Sequence, residues 1–304
     1  MINWGNSKMK FITYKINDIE QIGLLSNDEQ NVYPLKKLGL SFNSMNDLIV
    51  NITENQLAEL KNREYNNISS DDIIPYSKVQ KCAPIPKPNQ DIICLGINYM
   101  AHAEESARYK KEAFEIDRKY AVYFSKRVNR ATADGEFIPS YKGLVDSLDY
   151  ECELAVILNK DAKNVSPEEA FDYVFGYTII NDISARNLQT RHKQWYLGKS
   201  LDGFTPMGPC IVTKDEFNNP PVLSLSSKVN GELRQNSNTS LMITGIADAI
   251  SELSQGMTLE AGTIISMGTP AGVGMGFTPP KFLKSGDVIE CEIEGIGCLK
   301  NIIK

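Results

Sequence analysis

The chain has 304 residues, of which 42% are hydrophobic and 23% are charged, a composition typical of globular proteins. Its formal net charge of −6 argues against a nucleic-acid-binding protein, because such proteins carry a basic surface. Six cysteines without a CxxC pair, and only two histidines, argue against a zinc finger or ribbon. Cysteine is also sparse, and several cysteines lie in apolar strand-like runs, which argues against a disulfide framework. A chain of this length predicts one large domain or two smaller ones.

The N-terminus predicts no export. Residues 1–8 precede a second methionine, Met9, and are interpreted as a leader or tag. They contain no apolar core with a cleavage site, so we expect a cytoplasmic protein. The uncharged stretch 261–280 contains five glycines and three prolines, which predicts strand and loop rather than a membrane span. We therefore expect no membrane partner.

Residues 9–80 are predicted to form a small α+β N-terminal domain. Residues 10–14 and 22–25 alternate between apolar and polar side chains as short strands do, and 44–62 has apolar residues at helical spacing. Three alternating prolines then make 81–90 an extended connector.

Residues 91–304 carry mainly β signals, and their irregular strand–helix alternation does not favour a doubly wound sheet. A capping box at Ser166, with Pro167 at the first helical position, predicts a helix that ends near Gly176. Asn230-Gly231 predicts a two-residue hairpin turn. The other predicted elements are strands at 91–96, 154–158, 177–181, 288–293 and 299–303, and a helix over 243–253 with Gly256 as its terminator.

Two carboxylates lie in a segment that should be a half-buried strand. In one strand over 149–158, Glu151 and Glu153 would share a face about 6.6 Å apart. Like charges held there repel, so one would be protonated unless a cation intervened. Asp182 follows the apolar strand 177–181, and three carboxylates make an all-oxygen site suited to magnesium, manganese or calcium. The alternative is a solvated strand face with lysine or arginine partners.

A histidine follows strand 91–96 directly. On a helix, His102 and Glu105 are three residues apart and can touch, which would fix the imidazole tautomer and raise its basicity for work as a general base. A surface His–Glu pair is the alternative. The next segment, 108–130, has eight basic and three acidic residues. It is either solvated surface or a mobile cover that attracts an anionic substrate.

In their order and spacing, these motifs resemble the fumarylacetoacetate hydrolase family, and in particular its small branch of acylpyruvase-like 2-oxo-acid hydrolases. The resemblance covers residues 82–304, with a match to the family's small N-terminal domain before that. The motifs that carry it are Ala83-Pro84-Ile85-Pro86-Lys87-Pro88, Gly96-Ile97-Asn98-Tyr99 with His102 and Glu105, Tyr150-Glu151-Cys152-Glu153-Leu154-Ala155-Val156, residues 176–178 and 181–186, Lys199-Ser200, residues 229–232, Gly268-Thr269-Pro270, and residues 294–297.

The resemblance implies an α+β, predominantly β fold: a mixed β-roll, of β-sandwich or pseudo-barrel form, with the small α+β domain in front. It implies a homodimer, and a divalent metal, magnesium before manganese or calcium. The implied site consists of metal ligands Glu151, Glu153 and Asp182, a water-activating pair His102 and Glu105, a substrate-facing Lys199, and Arg186, Gln189 and Thr269 as groups that hold substrate oxygens.

Arg186 and Gln189 are also three residues apart, so on a helix both could reach one ligand. For Arg186 the alternative is an exposed arginine on a helix. For Lys199 it is a lysine whose stem alone is buried, and for Thr269 it is a Thr-Pro turn.

The implied activity is hydrolysis of a carbon–carbon bond in a 1,3-diketo acid such as an acylpyruvate, through a metal-stabilised enolate and water activated by His102. The alternatives are decarboxylation, isomerisation or hydration of a related 2-oxo acid, and a non-catalytic metal- or carboxylate-binding protein. The family often has proline and small residues after Phe124-Ser125-Lys126, where this chain has 127–130. Residues 272–276 suggest a dinucleotide loop, but 277–280 do not continue as a helix, so that interpretation fails.

Overall fold

The structure is a computed structural model that describes residues 8–63, 65, 68–111 and 120–304. The predicted leader falls on 1–7 apart from Lys8, so it lies outside the described residues. Residues 112–119 of the basic segment 108–130 lie outside them as well. No helix in the described ranges has the length and apolar character needed to cross a bilayer.

The described strands form three sheets, and short helices connect them. The strands are β1 Lys10–Ile16, β2 Ile19–Leu25, β3 Asn31–Pro34, β4 Ile74–Pro75, β5 Gln80–Lys81, β6 Ile92–Gly96, β7 Val122–Lys126, β8 Phe137–Ile138, β9 Leu148–Asp149, β10 Cys152–Leu158, β11 Val174–Asn181, β12 Ser184–Ala185, β13 Met207–Thr213, β14 Ser224–Val229, β15 Glu232–Asn238, β16 Ile264–Ser266, β17 Val288–Ile293 and β18 Gly297–Ile303. The α-helices are α1 Met45–Asn51, α2 Glu54–Asn62, α3 Met100–Lys110, α4 Arg186–Arg191, α5 Tyr196–Lys199 and α6 Ile246–Gly256.

The largest sheet runs through both halves of the chain. Its order is β4-β3-β2-β1-β13-β11-β10-β16-β6-β7, and β5 pairs with β1 at its side. The second sheet has the order β15-β14-β17-β18-β8, and β9 pairs with β12 in a third. Within the described residues the sheets do not close into a barrel. The fold is α+β and predominantly β, as the sequence predicts.

Strand β10 is buried on both faces and occupies the centre of the molecule. Leu154 and Val156 belong to a core cluster that includes residues of the second sheet, such as Leu299. Ala155 and Ile157, on the opposite face, belong to a second cluster that extends into the N-terminal region. The apolar run of this strand therefore reflects two packed faces.

Two predicted helices differ from the structure. The helix predicted over 44–62 is two helices, because Ile52 is extended and the capping box of Thr53 with Gln56 begins α2. The helix predicted from Ser166 to Gly176 is absent: Ala170–Tyr173 form a 3-10 turn and β11 begins at Val174. There the antiparallel pairing of β11 with β10 outweighs the local helix signal.

The predicted strand over 149–158 is interrupted. Asp149 ends β9, which pairs with β12, and β10 begins only at Cys152. The hairpin turn at Asn230-Gly231 and the two last strands are found where the sequence predicts them, and α6 begins at Ile246 rather than 243.

Candidate active site

One cleft brings together most of the residues that the sequence singles out. Its lining includes His102, Glu151, Glu153, Arg186, Gln189, Lys199 and Thr269. Glu105 lies beside His102, and Asp182 lies beside the two glutamates. The site is therefore built from α3, α4, α5 and the ends of the central strands β10 and β11.

Glu151, Glu153 and Asp182 converge. One oxygen from each lies within 4.8 Å of the others, and their exposures are 5%, 1% and 0%. Antiparallel pairing places Cys152 opposite Asn181, so the residues that flank these positions meet at one end of the two strands. The Asp182 amide also donates to the Glu151 carbonyl at 2.8 Å, which holds the junction together although β10 itself begins one residue later.

Two buried lysines contact this cluster. Lys199 Nζ lies 2.6 Å from both Glu151 Oε2 and Asp182 Oδ2, and Lys126 Nζ lies 2.6 Å from Asp182 Oδ1. The alternative of a solvated strand face with lysine or arginine partners is therefore wrong about the solvent, since the carboxylates and both ammonium groups are buried, but the basic partners that it expects are present. The exposure of Lys199 as a whole is 2%, which also excludes a lysine whose stem alone is buried.

The carboxylates differ in how well their charge is balanced. Burial raises the pKa of Glu153 well above its usual range, and the neighbouring Asp182 and Glu151 raise it further. Burial also opposes charge on Glu151, but Lys199 and Arg186 outweigh it and lower the pKa of that carboxyl. An all-oxygen donor set with one poorly balanced carboxylate fits a hard divalent cation, which would relieve the repulsion.

The predicted pair lies on one side of α3. His102 Nδ1 is 3.6 Å from Glu105 Oε2, and both Glu105 oxygens accept from the Gly272 amide, at 2.9 and 3.0 Å. His102 is 5% exposed, so the alternative of a surface His–Glu pair is wrong. Its Nδ1 has no hydrogen-bond partner among the described residues. The pair is adjacent without a direct hydrogen bond, and its catalytic role stays a prediction.

Arg186 and Gln189 meet on α4 as their spacing predicts. Arg186 Nη1 donates to Gln189 Oε1 at 3.1 Å and lies 2.7 Å from Glu151 Oε1. Its Nη2 is buried without a hydrogen-bond partner in the described part of the chain. At 2% exposure it is not an exposed helix arginine. The Thr269 hydroxyl lines the cleft but is engaged within the protein, donating to the Cys152 carbonyl at 3.0 Å and accepting from Gln235 at 2.7 Å.

Several residues lie at the site although the sequence did not predict a role for them there. Asp149 accepts from Arg186 Nε at 2.9 Å, and Lys126 contacts Asp182. Asp149 could have been noticed, because it stands two residues before the Glu-x-Glu pair. Glu153 is held by Ser266 Oγ at 2.5 Å and by the Gly268 amide at 3.1 Å, partners more than a hundred residues away in the chain.

An aromatic wall closes one side of the cleft. Trp195 packs against Phe124 with ring centroids 5.1 Å apart, edge to face. A Cβ at Gly96 would lie 2.7 Å from Cη2 of the indole, so glycine at the end of β6 is what allows the ring to lie there. The charged side chains therefore line a cleft in which the aromatic wall leaves limited room for a ligand.

The comparison with known proteins is consistent with this geometry. Residues 91–304 match the family model described as the C-terminal domain of fumarylacetoacetate hydrolase. The chain belongs to the fumarylacetoacetate hydrolase family. The resemblance noted in the sequence is thereby confirmed, and the chain is an enzyme of that family.

Relatives extend the match to the N-terminal region. The chain is 42% identical to the oxaloacetate tautomerase YisK of Bacillus subtilis, over 97% of this chain and 100% of that one. It is 37% identical to a fumarylacetoacetate hydrolase of Exiguobacterium antarcticum, with a TM-score of 0.79, covering 97% and 99% of the two chains. It is 27% identical to a 2-hydroxyhepta-2,4-diene-1,7-dioate isomerase of Mycobacterium marinum, with a TM-score of 0.71 and coverage of 97% and 98%.

Proposed function

We propose that this enzyme is a magnesium-dependent tautomerase that interconverts the keto and enol forms of a short 2-oxo diacid, oxaloacetate. The observation that carries the proposal is the buried convergence of Glu151, Glu153 and Asp182 beside the cationic Lys199 and Arg186. The near-complete alignment with an oxaloacetate tautomerase supports the choice of substrate.

Tautomerisation removes a proton from C3 of the keto acid and places a proton on the C2 oxygen, so no other bond breaks. Negative charge develops on that oxygen, and the site must stabilise it. A divalent cation held by the three carboxylates supplies Lewis-acid stabilisation of this charge when it is bound. The protein has to bind the diacid, orient C3 and move the protons.

The cationic side chains suit the binding role. Arg186 keeps Nη2 available in the cleft while its other nitrogens are held, and the guanidinium geometry matches a carboxylate. Gln189 stands next to it and can donate its amide to the same carboxylate. Lys199 places an ammonium at the carboxylate cluster, where it would offset charge on the substrate oxygen.

His102 is the group suited to move the proton at C3. It lines the cleft and is buried, and the Glu105 carboxylate lies beside its Nδ1, where it can stabilise the imidazolium that forms. The Thr269 hydroxyl also lies at the cleft wall, where a hydrogen bond donated by the Gln235 amide fixes its position. In the keto-to-enol direction, with Glu105 beside it, His102 would accept the proton from C3 while the C2 oxygen takes a proton from solvent water. In the reverse direction His102 would return a proton to C3 on the same face as the enol oxygen loses its proton to water.

Hydrolysis of an acylpyruvate is the second candidate, and the retained His102–Glu105 pair favours it. In that reaction His102 deprotonates a water that attacks the distal carbonyl, the carbon–carbon bond breaks, and a carboxylic acid and pyruvate leave. The similarity to a protein named fumarylacetoacetate hydrolase supports this candidate as well. Decarboxylation of oxaloacetate would also release pyruvate, whereas tautomerisation releases none.

The test uses the purified full-length protein, stripped of metal and then supplied with magnesium, manganese or calcium. We expect magnesium to accelerate the decay of the enol absorbance of oxaloacetate, with no pyruvate detected by a coupled assay. Pyruvate formed from a panel of acylpyruvates, without an effect on the enol, would instead support hydrolysis. Activity that survives complete chelation would contradict both candidates. An absence of any turnover would instead favour the alternative of a non-catalytic metal- or carboxylate-binding protein.

We also propose that the enzyme acts as a homodimer. Light scattering of the purified protein measures its mass directly, and a monomer at working concentration would contradict the proposal.

A further inference from the structure

The glycine-rich run at 272–276, here called the glycine segment, is the motif that the proposed reaction leaves unexplained. Its spacing imitates a dinucleotide loop, but in the structure only a short 3-10 turn, Gly274–Gly276, interrupts it and no α-helix follows. The segment packs against the catalytic helix α3. Its backbone amides point at protein carboxylates, where a phosphate would lie in a nucleotide site.

Three amides of the glycine segment hold two carboxylates. The Gly272 amide donates to both oxygens of Glu105, at 2.9 and 3.0 Å. The Gly274 and Met275 amides donate to the two oxygens of Asp149, at 2.6 and 3.0 Å. Asp149 is fully buried, so these bonds replace the water that its charge would otherwise require.

The glycines are required by close approach. A Cβ at Gly274 would lie 2.6 Å from Asp149 Oδ1 and 2.6 Å from the Lys281 carbonyl oxygen. A Cβ at Gly276 would lie 2.5 Å from Glu105 Oε1, and Gly272 has a φ of +103°, which favours glycine. Side chains at these positions would push both carboxylates away from the amides.

Each of the two carboxylates lies next to a side chain that lines the cleft. Asp149 accepts from Arg186 Nε and so sets the direction of the guanidinium, whose Nη2 is left for a ligand. Glu105 stands beside His102 Nδ1. One short segment of backbone therefore bears on both the proposed carboxylate-binding arginine and the proposed base.

We propose that the glycine segment is a carboxylate bracket that positions Arg186, through Asp149, for binding the substrate carboxylate, and Glu105 beside His102 for the proton transfer. The proposal rests on the proposed function. Asp149, Gly274 and Gly276 are positioning residues in this scheme, since they act through the side chains that touch the substrate. The bracket has two arms, one through Asp149 to Arg186 and one through Glu105 to His102. Their loss should have different kinetic effects, and this difference separates positioning from a general loss of structure.

The first variant is Asp149→Asn, which keeps the shape but removes the negative charge beside Arg186 and one of the two acceptor oxygens. In either orientation of the amide, the bridge from the glycine segment to Arg186 Nε is broken. We expect the KM for oxaloacetate and the Kd for oxalate, a mimic of the enolate, to rise about tenfold with a smaller change in kcat. Magnesium affinity by calorimetry should stay within about twofold, because the three ligands are untouched.

The second variant is Gly276→Ala, whose Cβ would have the three carboxylate atoms of Glu105 as its nearest neighbours, the far end of a flexible side chain rather than backbone. We expect kcat to fall about tenfold with KM and oxalate affinity nearly unchanged. In metal-free, ligand-free protein, hydrogen exchange at the Gly272 amide should accelerate about tenfold, because Glu105 is displaced from it. Gly256→Ala is the matched control, since a Cβ there meets nothing within 4 Å, and it should change none of these quantities.

The exchange measurement needs no substrate, so it separates this proposal from the proposed function. If the native enzyme has no effect on oxaloacetate but Gly276→Ala accelerates exchange at Gly272, the proposed function fails and the bracket stands. Unchanged exchange in Gly276→Ala, or parallel losses of kcat and substrate affinity in both variants, would overturn the bracket. An oxalate affinity unaffected by Asp149→Asn would remove its Arg186 arm.

Discussion

Among the residues of the site, Glu153 has the least balanced charge. Its partners are the Ser266 hydroxyl and the Gly268 amide, while Lys199 forms its ion pairs with Glu151 and Asp182. Because its folded pKa is raised, Glu153 stabilises the metal-free fold below its unfolded pKa, and this contribution is lost as pH rises through the folded pKa. Glu151 has the opposite shift, so its contribution changes only at more acidic pH.

We therefore predict that Glu153→Gln stabilises the metal-free protein, and more so at about pH 8 than at about pH 5. The amide cannot ionise, and its oxygen can still accept from Ser266 and Gly268. Urea unfolding at both values measures the difference, and magnesium should stabilise the native protein but not the variant. A variant less stable than the native metal-free protein at the higher pH would contradict the assignment of Glu153 as the repelled carboxylate.

A second prediction at this scale concerns His102. His102→Ala should lower kcat by about 10²–10⁴-fold, the range expected for loss of a general base, while magnesium affinity stays unchanged. The chain offers a matched control, because its other histidine, His192, is exposed. His192→Ala should retain full activity. An active His102→Ala enzyme would refute the role proposed for His102.

At the scale of elements, the aromatic wall is built by Phe124 in the middle of β7 and Trp195 directly before α5, beside Gly96 at the end of β6. Lys110 of α3 places its ammonium 5.3 Å from the centre of the Trp195 ring, so the ring also links α3 to the start of α5. Because the Trp195 ring lines the cleft, packs against Phe124 and fills the space beside Gly96, it should limit the length of substrate that the cleft admits.

Trp195→Ala should accordingly favour longer substrates. We expect kcat/KM for the keto–enol interconversion of a longer acylpyruvate, divided by kcat/KM for that of oxaloacetate, to rise about tenfold. This is a size effect typical of a hydrophobic pocket. Competition assays with the two substrates measure this ratio directly. Tyr196→Ala is the control, since Tyr196 is 43% exposed and next to Trp195. If the ratio is the same in both variants, the wall does not select for length.

For the whole molecule, the N-terminal region and the remainder share both a sheet and a core. Strand β1 pairs with β13, with Phe11 opposite Ile211, and the second core cluster contains Phe11 and Leu48 together with Ile157 and Ile180. Separating the regions would expose these apolar side chains and the edge of β13. The boundaries that the sequence predicts, at 9–80, 81–90 and 91–304, would then mark segments of one cooperative unit.

Calorimetry of the full-length, metal-free protein should show a single unfolding transition with equal calorimetric and van't Hoff enthalpies. A fragment that starts at residue 91 should be unable to fold alone, as measured by its circular dichroism and its amide exchange. Two separate transitions, or a folded fragment, would show that the predicted boundaries separate independent domains.

Features that depend on neighbours in the chain could be predicted from the amino-acid sequence. The positions of β1 and β2, the hairpin at Asn230-Gly231, and the i, i+3 spacings on α3 and α4 all follow from local sequence signals. The predicted alternation does not hold in the first two strands, because residues 11–14 and 22–25 are buried without interruption. The spacing of Glu151 and Glu153 beside an apolar run indicated a half-buried carboxylate site as one of two interpretations, the other being a solvated strand face with basic partners. The family resemblance added the remaining site residues, most of which line one cleft.

Contacts between groups far apart in the chain could not be predicted, because they depend on the packing of the whole fold. The capping box at Ser166 predicted a helix, but strand pairing with β10 begins four residues after Ala170. Asp149 meets Gly274 across 125 residues, and Lys126 meets Asp182 across 56. No local pattern encodes such pairs, because buried charges select partners by position in space, and that position exists only once the two core clusters have packed on either side of β10.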